Sequence, residues 1–75
     1  MSDYQQFLKE KKQIDHLLSQ GFSIRYITEN LSGAFLEFHR AVEDGSAEMK
    51  SLHITTADAR KYFSVKYMEQ QARIS

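Results

Sequence analysis

Three histidines, His16, His39 and His53, are the side chains in this sequence best suited to acid–base or metal chemistry. Two imidazoles and a carboxylate can hold zinc when their donor atoms come to about 2.0–2.1 Å from a common point. His39 and His53 would share such a site with Glu37 if residues 34–40 and 50–55 formed neighbouring strands. No dense spacing of the His-Glu-x-x-His kind accompanies them, so they read as surface histidines, with no metal and no other cofactor expected. The remaining catalytic vocabulary is missing. Without cysteine there is no thiolate nucleophile, and neither a Gly-x-Ser-x-Gly elbow nor a phosphate-cradling glycine loop is present. Gly21, Gly33 and Gly45 each fall at an expected turn instead. A chain of 75 residues also has difficulty enclosing the ~300 Å³ or more that ligand pockets commonly need. The expectation is a protein that is not an enzyme.

Whatever these side chains do, a small scaffold must position them. Ten Lys plus Arg balance ten Asp plus Glu, which leaves no global field to draw the chain onto nucleic acid or an anionic membrane. With 41% apolar and 27% charged residues, the composition separates the chain from disordered ones. No linker, repeat or low-complexity tract divides residues 1–75, so one small domain is expected. Cysteine is absent, which removes any disulfide framework and makes the reducing cytoplasm the expected compartment. The first residues carry neither a basic leader nor an apolar stretch, and no run approaches the ~18 apolar residues of a membrane helix. No membrane association is expected.

Tyr4, Phe7, Leu8, Ile14, Leu17 and Leu18 recur at helical spacing and predict a helix over residues 2–20. Ser2 could cap it, with Gln5 at the capping-box position and Gly21 as a left-handed stop. The run Lys9-Glu10-Lys11-Lys12 reads as a solvated face flanked by Asp3 and Asp15. A second helix is predicted over residues 56–72, capped by Thr55 with Asp58 in its first turn. Its apolar surface comprises Ala59, Tyr62, Phe63, Val65, Tyr67 and Met68.

Between the helices, aromatic and β-branched stretches alternate with turn chemistry at Asn30-Leu31-Ser32-Gly33 and Asp44-Gly45-Ser46. Strands over residues 22–28, 34–40 and 50–55 can be paired as a meander. Setting Tyr26 opposite Leu36 and Leu36 opposite Ile54 makes the next row Ile24, Phe38 and Leu52, and one face becomes wholly apolar. The other face then reads Arg25, Glu37, His53 and Ser23, His39, Ser51, with Ile27, Phe35 and Thr55 as its apolar corner. Arg25 would pair with Glu37 across the strands. The predicted fold is an α+β, two-layer α-β-β-β-α domain, a three-stranded antiparallel meander with both helices on one face.

That element order is similar to the double-stranded-RNA-binding domain, a resemblance that implies duplex RNA as partner. The first loop here is Glu29-Asn30-Leu31-Ser32-Gly33 rather than Gly-Pro-x-His, and the last helix opens Ala57-Asp58-Ala59-Arg60-Lys61 where that family carries a lysine cluster. A second stretch, Leu17-Leu18-Ser19-Gln20-Gly21-Phe22-Ser23-Ile24 followed by Ile27, Leu31 and His39-Arg40, resembles the helix-turn-helix of response-regulator-type transcription factors. The segment Ser32-Gly33-Ala34 is about one residue shorter than the turn of that motif. Either resemblance implies nucleic-acid binding, and that alternative predicts salt-dependent binding to duplex RNA or DNA through Lys50, Arg60 and Lys61.

The apolar surplus points elsewhere. Phe35 with Ile27 on the uncovered face, and one edge of the last helix, exceed what one small sheet can bury. The expectation is therefore a non-enzymatic, adaptor-like or regulatory protein that binds another protein or a second copy of itself. Its candidate contact residues are Phe35, His39, His53 and Tyr67.

Overall fold

The computed structural model describes the backbone of residues 2–74 and the side chains of residues 3–72. The chain runs α1 (Ser2–Ser19), β1 (Ser23–Asn30), β2 (Gly33–Ala41), β3 (Ala47–Ile54) and α2 (Ala57–Ile74). The strands form one antiparallel sheet in the order β1-β2-β3. This is the α+β meander that the pairing of apolar residues predicts.

The local chemistry explains most boundaries. Gly21, at φ +93, lets the Phe22 N–H reach the Leu17 carbonyl at 3.1 Å and the Gly21 N–H reach Leu18, so α1 stops where the glycine stands. Phe22 leaves the expected strand but is buried at the helix end, with the Arg40 guanidinium 4.6 Å from its ring centre. The expected Ser2 cap rests on a side chain outside those described. At α2 the cap is Thr56 and not Thr55: its hydroxyl accepts the Ala59 N–H at 3.2 Å, one residue later than the sequence suggests.

The core gathers Ile14 and Leu17 from α1, Ala59 and Phe63 from α2, and Ile24, Ala34, Leu36, Phe38 and Ile54 from the sheet. Both helices therefore bury their apolar sides on the same sheet face. Ile27, Leu52, Tyr62 and Tyr67 pack around this cluster, while Val65 and Met68 remain exposed.

Two parts of the expected register are corrected. Ile24 does face Phe38, but Arg25 is inserted as a bulge, so Tyr26 lies opposite Glu37 and Ile27 opposite Leu36. One extra residue reverses the alternation of side chains beyond it. Ile27 turns to the core and Tyr26 to solvent, the reverse of the expected arrangement. On the other side, β3 begins at Ala47 and slides by two residues: Leu36 meets Leu52, Phe38 meets Lys50, and Ala34 meets Ile54. The cause is a tight turn in which the Val42 N–H donates to Ser46 and the Gly45 N–H to Val42, closing the hairpin earlier than a loop from 41 to 49 would. A slip of two keeps every β3 side chain on its expected face.

Gly33 is the position where no side chain fits. Its φ is +122, and a Cβ there would lie 2.3 Å from the Ile54 carbonyl oxygen, a backbone atom that cannot yield. The β1–β2 turn is thereby seated directly on the end of β3.

Candidate functional site

Among the described residues no element covers the second face of the sheet, and the register sets its residues in three rows. These are Ser23, His39 and Met49, then Tyr26, Glu37 and Ser51, then Thr28, Phe35 and His53. Tyr26, Met49 and Phe35, one from each row, are 58%, 62% and 40% exposed, so each row carries one large side chain open to solvent. Of the four residues singled out by sequence, Phe35, His39 and His53 come together here. Tyr67 does not: it is half-buried on the opposite side, lining a cleft of about 650 Å³ with Leu18, Phe22, Ile24 and Gln70.

The two histidines on this face have defined partners. His53 is stacked on Phe35, ring centres 4.3 Å apart and planes within 1° of parallel. Its Nε2–H donates to the Ser32 carbonyl at 2.7 Å, which ties the end of β3 to the first hairpin turn. His39 Nε2–H donates to the Glu37 carboxylate at 2.6 Å, and Tyr26 stands edge-on to the His39 ring at 5.9 Å. Glu37 thus serves His39 and not His53, and its expected partner Arg25 is displaced from the row by the bulge. His16 lies in the last turn of α1, away from both. Among the described residues no three His, Cys, Asp or Glu side chains converge as metal ligands.

The molecule's most fully bonded charged group lies on the covered side. Glu10 of α1 is 1% exposed. Its Oε2 accepts from the Thr55 N–H at 2.9 Å, the Thr55 hydroxyl at 2.8 Å and the Gln6 amide at 3.0 Å. Its Oε1 accepts from the Thr56 N–H at 3.2 Å and the Thr56 hydroxyl at 2.7 Å. Burial pushes the carboxyl pKa up, but these donors outweigh it and hold the group at about 2, down from its ordinary 4.5. The clasp joins α1 to the β3–α2 junction. Beside it, the Tyr62 hydroxyl donates to Asp15, which also receives Lys11 at 3.0 Å. Burial and that bond raise the Tyr62 pKa, whereas Asp15 is held below its ordinary value because the Tyr62 and Lys11 bonds outweigh its own burial.

The basic residues considered for nucleic acid are dispersed. Lys50 lies on β3 at one edge of the sheet, while Arg60 is bound to Glu29 of β1, at the other edge, at 2.9 Å. Lys61 is exposed on α2.

Sequence reasoning missed Tyr26 and Met49 as members of the open face, and it read Glu10 as part of a solvated helix face, whereas the side chain is buried against Thr55 and Thr56. The Tyr26 signal is hidden by the bulge. Glu10 does carry a trace in the sequence, a carboxylate among lysines on a helix and two adjacent threonines before another helix, but nothing local links them across 45 residues.

No family model, curated protein or solved structure matches the chain. No helix among the described residues is long and apolar enough to cross a membrane.

Proposed function

We propose that the chain is a non-enzymatic protein-binding module of adaptor or regulatory type, docking its partner on the uncovered face of the sheet. The observation that carries this reading is the pair of exposed rings on that face, Phe35 stacked on His53 and Tyr26 edge-on to His39. Aromatic rings fixed by packing make good anchors, because they contribute large contact area with little side-chain entropy left to lose. His39 and Glu37 add a polar border to the same surface.

This surface favours protein over nucleic acid. Glu37 stands in the middle row of the face between Tyr26 and Ser51, where a carboxylate opposes a phosphate backbone.

The test is affinity capture from cells expressing the chain, comparing wild type with Phe35→Arg and Tyr26→Arg. A partner retained by wild type and by the distant control Lys61→Glu, but lost from both face variants, supports the reading. Identical capture by all four proteins, each verified as folded by circular dichroism, counts against it.

A further inference from the structure

The two edges of the sheet are finished differently. On β1 the Gln70 side chain behaves as a strand's peptide group: its Nε2 donates to the Ile24 carbonyl and its Oε1 accepts the Ile24 N–H, both at 2.8 Å. The bulge at Arg25 and the Arg60–Glu29 ion pair complete the closure of that edge. Among the described residues the outer side of β3 has no such cover.

Hydrogen-bond parity shows which groups β3 leaves outward. Ile24 spends its N–H and C=O on Gln70, so Phe38 opposite it directs its own towards β3, and the bond from Val42 to Ser46 continues the same alternation. Even-numbered residues of β3 therefore bond to β2. Ala47, Met49, Ser51 and His53 turn their backbone groups outward, and none of these backbone groups is bonded among the described residues. The strand is eight residues long and contains no bulge or proline.

Its side chains specify what fits. Consider a second β3 laid antiparallel about a two-fold axis at Met49. Met49 then faces Met49 of the second copy with both backbone bonds available, Ala47 faces Ser51, and Glu48 faces Lys50 twice. Moving the axis to Lys50 sets ammonium against ammonium. Moving it to Ser51 sets Glu48 against Ile54. Only the Met49 register satisfies backbone parity and charge together.

We infer that β3 is a self-pairing edge: two copies of this chain join antiparallel along residues 47–51 and extend the sheet across the pair. This goes beyond the docking face proposed above and does not rest on it. Isologous edge pairing of this kind closes at two copies, because each β3 is consumed and each β1 is already blocked by Gln70.

Sedimentation equilibrium from micromolar to millimolar concentration tests the pairing. Wild type is expected to dimerise, and Met49→Pro to be monomeric with unchanged circular dichroism, since the Met49 N–H that proline removes faces outward. Lys50→Glu sets carboxylates together twice and is expected to weaken the dimer about tenfold. Glu48→Lys has the same effect with ammonium groups. Mixing those two variants restores both attractive pairs, so a heterodimer is expected to form from two weakened proteins; because Glu48 also holds Arg40 of its own chain, both variants are first verified as folded by circular dichroism. Phe35→Arg is expected to dimerise like wild type. A wild type that stays monomeric at millimolar concentration overturns the inference. So does a dimer that survives Met49→Pro, one lost through Phe35→Arg, or a mixture that fails to associate.

Discussion

The sheet presents two faces built from the same strands by opposite rules. On the covered face Phe38, Leu36, Ile24 and Ile54 are at most 1% exposed and packed against the two helices, and Glu10, the one buried charge among the described residues, has five donors. On the open face the ordering is pairwise and shallow: Phe35 on His53, His39 on Glu37, Tyr26 beside His39. Burial makes one side expensive to alter, while solvent makes the other inexpensive. Stability is concentrated where the helices lie, and the open face is left at liberty to carry recognition.

The widest separation of the two faces is expected from a matched pair of truncations on β2. Phe38→Ala removes a ring with no exposed surface and costs about 3–5 kcal/mol. A domain of this size has a margin of roughly the same amount, so this variant is expected to be unfolded at room temperature by circular dichroism. Phe35→Ala, three residues away on the other face, is expected to cost about 1 kcal/mol by urea denaturation. Equal costs would abolish the distinction.

Glu10→Gln tests the polar half of the covered side. The carboxamide keeps the shape but turns a donor towards the Thr55 or Thr56 N–H groups, and a loss of about 2–3 kcal/mol is expected in the urea midpoint. The same clasp sets an acid limit. Because the folded pKa is lowered to about 2, its contribution is fully present above the ordinary 4.5 and disappears as pH falls from there through about 2. That loss amounts to about 3 kcal/mol. Wild type is therefore expected to lose stability steeply over this interval, and Glu10→Gln to show a flatter profile in denaturation repeated across pH.

The smallest effect belongs to the stacked pair. A double-mutant cycle of Phe35→Ala and His53→Ala is expected to return a coupling of about 0.5–1 kcal/mol. A coupling above that range would make the open face a second structural layer and sharpen the comparison in an unexpected direction.

How much of this was legible beforehand depends on the distance over which each interaction acts. Gly21 ending α1, the turns around Gly33 and Gly45, and the apolar stripe of α1 are written within a few residues, and all were readable. The Phe35, His39 and His53 grouping was readable as well, because a slip of two in β3 leaves each residue on its own face. The expected pairing of Arg25 with Glu37 fails because a bulge between Ile24 and Tyr26 breaks the row, and alternation within the strand carries no signal of such an insertion.

By itself the sequence determined the order of the elements, their turns, and the division of most residues between a buried and an open side. Local backbone preference and alternation suffice for these, because both act between near neighbours. The tertiary structure alone decided that Tyr26 faces solvent and Ile27 the core, that Glu10 meets Thr55 and Thr56, and that Gln70 closes one edge while β3 stays open. Those are matters of which distant donor reaches which acceptor, and they are settled only when packing brings the two within about 3 Å.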